Sequence, residues 1–245
     1  MKIVFQIAVT FFVLFCEVKT SKAQVPDSIR FLQEISRIQA AYSDTSGLVF
    51  KSTYYYESFD GDYSEFDTMT AAYQFKGEMM SFSMDSVHIV QNDQYQVVVY
   101  HLDSMMQVNT PVDMHKTMLQ ANFYDSLFYQ MNIGGVTITD FGAVRKLKFT
   151  FLGNSPYSKY EISYDTANYR LSSVEYMVKQ TMSPSTGSAY TGPYISIKIN
   201  YSNYSTTQLA DNIFSTDQFF VRQNGVLTAV SPYTGFSIIN QSVEE

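Results

Sequence analysis

The chain has 245 residues, 45% apolar and 16% aromatic, with 20 Tyr, 19 Phe, no Trp and one Cys. Its net charge of −7, from 16 basic and 23 acidic residues, argues against nucleic-acid binding and against steady attachment to anionic membrane surfaces, both of which draw on positive charge. One cysteine cannot make an internal disulfide, so core packing must hold the fold, as a single all-β domain of about 200 residues can.

Residues 1–23 read as a cleaved signal peptide. Lys2 gives a short basic start, Ile3 to Phe15 is apolar, and Ser21-Lys22-Ala23 places small residues at a peptidase site. The apolar run is shorter than the roughly 20 residues a membrane span needs. Phe15 before Cys16 argues against a lipoprotein signal. Cleavage after Ala23 predicts a periplasmic or secreted protein and leaves 24–245 as one domain, free of cysteine and more acidic than the whole chain.

Pro26-Asp27-Ser28 opens a helix, with Asp27 or Ser28 as cap. Phe31, Ile35, Ile38 and Tyr42 then share one helical face. Leu48 to Glu57 follows as a strand with Leu48, Phe50, Tyr54 and Tyr56 on one side. The Asp60-Gly61 turn returns the chain through a strand carrying Ala71, Tyr73 and Phe75.

The stretch from Met80 to Thr110 predicts a meander. Met80, Phe82 and Met84 alternate with serines and Asp85. Tyr95, Val97 and Val99 alternate with Gln96, Val98 and Tyr100, so a greasy face and a wetter one are expected. Thr110-Pro111-Val112-Asp113 then has the form of a capped helix start. Met114, Met118, Leu119, Phe123, Leu127 and Met131 make its apolar stripe, and Gly134-Gly135 closes it.

Leu147-Phe149-Phe151, Tyr160-Ile162-Tyr164, Val174-Tyr176-Val178 and Ile195-Ile197-Ile199-Tyr201 are further strands. Ser183 to Pro193 is a polar, Gly- and Pro-containing loop. Asn224-Gly225 marks a tight hairpin. The sum is a mainly β, α+β chain: about ten strands in one strongly curved antiparallel sheet or unclosed β-barrel, with an N-terminal helix and an inserted lid-like helix.

No chemistry is written into the chain. His88, His101 and His115 have no metal-binding spacing, and neither a nucleophile elbow nor a phosphate loop occurs. No catalytic residue, metal or cofactor is expected.

The order of elements resembles the LolA-like family of periplasmic lipoprotein carriers. The likeness rests on Tyr73-Gln74-Phe75-Lys76-Gly77, on Ile89 to Gln94 with Val97-Val98-Val99-Tyr100 and Met105-Met106-Gln107-Val108, and on Asn212-Ile213-Phe214 followed by Phe219-Phe220. Gly77-Glu78-Met79 stands where that family has Arg-Pro, and no arginine lies between Arg37 and Arg145 to act as the family's strand latch. The resemblance implies a half-barrel whose concave side holds acyl chains under a helical lid. The expected partner is the acyl chain of a lipid or lipoprotein, with transient contact to an envelope protein, and neither nucleic acid nor stable membrane insertion. Expected ligand-binding residues are Phe50, Tyr54, Tyr73, Phe75, Phe82, Val97 and Val99 on the strands, with Met118, Phe123 and Leu127 on the inserted helix. A ligand-free structural or interaction module of the cell envelope is the alternative.

Overall fold

A computed structural model describes residues 28–43, 47–60, 63–112, 132–153, 155–179 and 194–242. The expected signal peptide, the inserted helix with Met118, Phe123 and Leu127, His115 and the loop 183–193 lie outside the described residues.

Helix α1 spans Ser28–Ser43. The strands are β1 Leu48–Asp60, β2 Tyr63–Lys76, β3 Met79–Met84, β4 Val87–Gln91, β5 Gln96–Tyr100, β6 Met105–Asn109 and β7 Ile133–Phe141, then β8 Val144–Phe151, β9 Tyr157–Asp165, β10 Leu171–Lys179, β11 Tyr194–Thr206, β12 Phe220–Gln223, β13 Val226–Ala229 and β14 Ser237–Gln241. Twelve of them form one large curved, unclosed sheet in the order β14-β6-β5-β4-β3-β2-β1-β11-β10-β9-β8-β7. The long strand β1 stands in the middle, paired to β2 on one side and β11 on the other. Strands β6 and β7 follow each other in the chain yet sit toward opposite ends of the sheet, so their connection joins its two sides.

Local sequence explains most of this. The alternation in β1 and β2 brings Phe50 opposite Tyr73 and Leu48 opposite Phe75, so both strands send aromatic residues to one face. Gly77 and the Asn224-Gly225 pair adopt positive φ, which suits the tight turns there. Gly47 is required for a different reason: a Cβ would sit 1.9 Å from the Thr207 carbonyl oxygen.

Helix α1 lies over what is here termed the inner face. Phe31, Ile35, Ile38 and Tyr42 are buried and join Leu48, Phe50, Leu147, Phe149, Ile162 and Tyr164 in the main core. Phe31 meets Phe149 edge-on at 5.7 Å and Tyr42 meets Phe50 at 5.8 Å. Glu34, on the same helical face, is also buried.

The outer face of β4–β6 carries a second core. Val90, Val97, Val99, Met106 and Val108 pack against Phe219 and Phe220, which belong to the segment bearing the β12–β13 hairpin. Strand β5 is therefore buried on both faces: Val97 and Val99 lie under the C-terminal segment, and the expected wetter set, Gln96, Val98 and Tyr100, is buried on the inner face.

Three further features differ from expectation. The described residues contain fourteen strands instead of about ten. Gly134 and Gly135 lie inside β7 at a bulge, where a Cβ on Gly134 would come within 2.7 Å of the Leu152 side chain. Strand β14 pairs with β6 in parallel, the single departure from antiparallel pairing among the described residues.

Candidate ligand-binding face

The inner face is a wall of rings whose positions follow from strand register. Across β1 and β2, Phe50 stacks on Tyr73 at 4.6 Å, and Tyr73 meets Phe82 of β3 at 4.9 Å. Phe50 also stacks on Tyr204 of β11 at 5.0 Å. On the other flank, Phe149 meets Tyr160 edge-on at 5.1 Å, Tyr160 stacks on Tyr176 at 5.8 Å and Tyr157 stacks on Phe151 at 6.0 Å. Such contacts contribute about 0.5–1.5 kcal/mol each beyond simple burial.

The expected site residues divide in three. Phe50, Tyr54, Tyr73, Phe75 and Phe82 do share one face: the first, third and fourth are buried, Phe50 against Tyr42 of α1, while Tyr54 and Phe82 are half-buried. Val97 and Val99 are a correction. They point to the opposite face, into the core with Phe219 and Phe220, since the register from β1 through β5 assigns the inner face to Gln96, Val98 and Tyr100. Met118, Phe123 and Leu127 lie outside the described residues.

The sequence reading of the site missed the flank formed by Phe151, Tyr157, Tyr160 and Tyr176. Their alternation was visible, but joining them to Tyr54 required β11 to pair with β1, a contact between residues more than 140 positions apart. A recess of about 360 Å³ lies at this flank, lined by Phe149, Phe151, Leu152 and Tyr157 together with Lys148 and Lys179.

Hydroxyls are tied in pairs along the wall. Tyr54 and Tyr73 share a hydrogen bond of 2.6 Å, and Tyr42 and Tyr204 one of 2.5 Å, with the Leu171 amide donating to the Tyr42 oxygen. Burial pushes Tyr73, Tyr176 and Tyr204 well up from the ordinary phenol range and Tyr157 up to about 12. The wall thus holds neutral phenols, and it disfavours anionic charge.

Beyond Phe82 the inner face carries an apolar cluster of Val87, Val98 and Tyr100 and, beside it, the buried polar pair Gln91 and Gln96. Gln91, 1% exposed, donates from Nε2 to the Glu78 and Val112 carbonyls and accepts at Oε1 from the Val112 amide and from Gln96. All four of its hydrogen-bonding positions are filled. It grips both backbone groups of Val112, at the point where the chain leaves β6 for β7.

Among the described residues no group of three or more His, Cys, Asp or Glu could hold a metal ion. His88 is half-buried against Phe219 and lies 3.3 Å from Ser81 Oγ, and burial lowers its pKa. His101 is exposed beside Tyr233 and Phe236.

These features define a class: an unclosed, curved antiparallel sheet with a helix on its ring-lined inner face. No protein-family model and no curated protein matches the chain. Among solved structures it is similar to a LolA superfamily protein from Nitrosomonas europaea, at 13% identity over 76% of this chain and 97% of that one, with a TM-score of 0.33. It is similar also to an uncharacterized conserved protein from Thermus thermophilus, at 10% identity over 86% and 99%, TM-score 0.44. A putative outer membrane lipoprotein-sorting protein domain from Vibrio parahaemolyticus is similar at 12% identity over 76% and 96%, TM-score 0.34. The likeness is one of fold, and function has to be argued from the site itself.

Proposed function

We propose that this chain is a non-enzymatic periplasmic binding protein or carrier that holds the acyl chain of a lipid or lipoprotein against the inner face of the sheet. The observation that supports this reading is that a good part of the ring wall is not fully buried. Tyr54, Phe82, Met84, Phe151, Tyr157, Tyr160 and Tyr176 are only partly buried there, and apolar side chains arrayed on a concave surface suit a ligand with no directional chemistry of its own. The signal peptide expected at residues 1–23 accords with an envelope location.

Native mass spectrometry and lipid extraction of the purified protein test it. Co-purified lipid, or saturable binding of a fluorescent fatty acid, is expected. Absence of both rejects the reading.

A second reading is favoured by a specific observation as well. Phe50, Tyr73 and Phe75 are closely stacked and nearly inaccessible, as in an envelope interaction module whose sheet–helix interface is simply a filled core. That reading requires the ligand tests to be negative while the fold stays intact.

A further inference from the structure

The lysines of this acidic chain are unevenly placed. Residues 24–245 contain eight, and six of them stand on the outer face of β1 and β8–β11. Strand register puts them there. Lys148, Glu161, Glu175, Lys198 and Tyr55 follow one another across β8, β9, β10, β11 and β1, on the side of the sheet opposite Phe50 and Tyr54. Lys146, Lys159, Lys179 and Lys51 lie two or four residues from members of that row on the same strands, hence on the same face. Of the other two lysines, Lys76 is paired with Asp211 at 2.5 Å, and Lys116 lies outside the described residues.

Three glutamates share the face. Glu161 meets Lys146 at 3.0 Å and Lys159 at 4.0 Å, Glu175 meets Lys159 at 2.5 Å, and Glu57 lies opposite Ser196. Burial pushes the pKa of Glu161 up, yet Lys146, Lys159 and Lys148 together bring it below its usual value. Lys51, Lys148 and Lys198 are exposed and make no ion pair among the described residues. The face is thus positive on a molecule whose remainder is strongly negative, so an anionic partner is drawn to this side and repelled by the rest.

Two further features narrow the partner. From β8 to β1 the lysines spread over four strand spacings, roughly 19 Å, so an array of anions fits them and a single phosphate does not. Beside them on the outer face, Phe66 of β2 is 66% exposed and lies 6.4 Å from Tyr55. Exposed rings next to long basic side chains suit a lipid boundary, where rings rest at headgroup level and ammonium groups meet phosphates. An acidic polypeptide would answer the lysines alone.

We propose that the outer face of β1 and β8–β11 docks the protein on an anionic phospholipid surface. Lys51, Lys148 and Lys198 meet headgroup phosphates, and Phe66 rests against the interface. The acidity of the remainder keeps the attachment reversible and fixes one orientation. Lys148 and Lys179 also line the recess beside Phe151 and Tyr157, so docking brings that recess to the lipid. The docking stands apart from whatever the inner face holds.

The test is co-sedimentation of the purified protein with vesicles of phosphatidylcholine, alone or mixed with phosphatidylglycerol. Binding is expected only to the phosphatidylglycerol vesicles and is lost as salt is raised. Lys51→Gln, Lys148→Gln and Lys198→Gln should each weaken it about fivefold, and the three together about a hundredfold. Glu57→Gln should strengthen it about fivefold at an unchanged melting temperature. Arg222→Gln removes a positive charge from the β12–β13 hairpin and should leave binding as it was.

No binding to phosphatidylglycerol vesicles at low salt overturns the proposal, even if an acidic protein is later found on this face. Equal binding to both kinds of vesicle overturns it, and so does binding that survives in the triple variant. Release by inorganic phosphate well beyond that by chloride at equal ionic strength would show a discrete phosphate site and overturn surface docking. Fatty-acid binding is measured without vesicles, so failure here leaves the acyl-ligand reading standing, and failure of that reading leaves the docking standing.

Discussion

At the scale of single residues, Glu34 decides how α1 sits. Its carboxylate, buried on the helix's apolar face, accepts a hydrogen bond from the Tyr164 hydroxyl and pairs with Arg37 at 3.0 Å and Arg145 at 2.9 Å. Arg145 reaches on to Asp140, linking the helix through β8 to β7. A buried carboxylate that is fully partnered contributes little net stability but sets position, whereas removing one member strands the others. Glu34→Ala should therefore cost about 3–5 kcal/mol in urea unfolding. Leu32→Ala, two residues away on the other side of the helix at 43% exposure, should stay within about 0.5 kcal/mol. A small effect at Glu34 would mean that apolar packing alone places the helix. From the sequence Glu34 reads as an ordinary solvent-side acid, because the partners that bury it, Arg145 and Tyr164, come from strands more than 100 residues later.

At the scale of elements, β5 separates two jobs that its alternating valines cannot distinguish by pattern. The outer-face set, Val97 and Val99 with Phe219 and Phe220, holds the C-terminal segment to the sheet. The inner-face wall around Phe82 is where an acyl chain would lie. Phe219→Ala, at a site 1% exposed, should cost about 3–5 kcal/mol and leave fatty-acid binding unchanged in whatever protein remains folded. Phe82→Ala, half-buried, should cost less and weaken binding. A loss of binding in the first variant with none in the second would reverse the assignment of faces. The same contrast shows what could be read in advance. Elements with strict alternation or a strong turn signal, such as β1, β11 and the Asn224-Gly225 hairpin, were legible. Strand β7 was not, because Gly134 and Gly135 resemble a helix stop, and the approach of Leu152 to Gly134 is a contact between strands that local pattern does not show. Strand β14 was not either. Its residues Ser237 to Gln241 carry little burial signal, being mostly exposed, and their strand partner lies some 130 residues earlier.

At the scale of the whole molecule, the tyrosine load that stood out in the composition becomes a property of stability. Burial, the foremost cause in each case, raises the pKa of Tyr73, Tyr157, Tyr164, Tyr176, Tyr201 and Tyr204, and Tyr157 reaches about 12. Most of these rings line the inner face, on strands from both sides of β1, so their titration reports on the sheet as a unit. A raised value means that the folded state keeps its protons where the unfolded chain has begun to lose them. The stabilisation is therefore complete below the unfolded phenol value of about 10 and is lost progressively as pH rises above it through the folded values. Unfolding free energy should be level with respect to these groups up to about pH 10 and then fall steeply, because several tyrosines contribute in the same window. Tyrosinate absorbance followed together with far-ultraviolet circular dichroism checks this: the buried phenols should ionise only as the strand signal disappears. Ionisation of all tyrosines in one early step, with the strands intact, would mean that the inner wall is open to solvent. An acyl ligand bound on that wall should move the coupled transition to higher pH, since it binds only the folded, protonated form. That shift would tie the aromatic composition of the chain directly to its function.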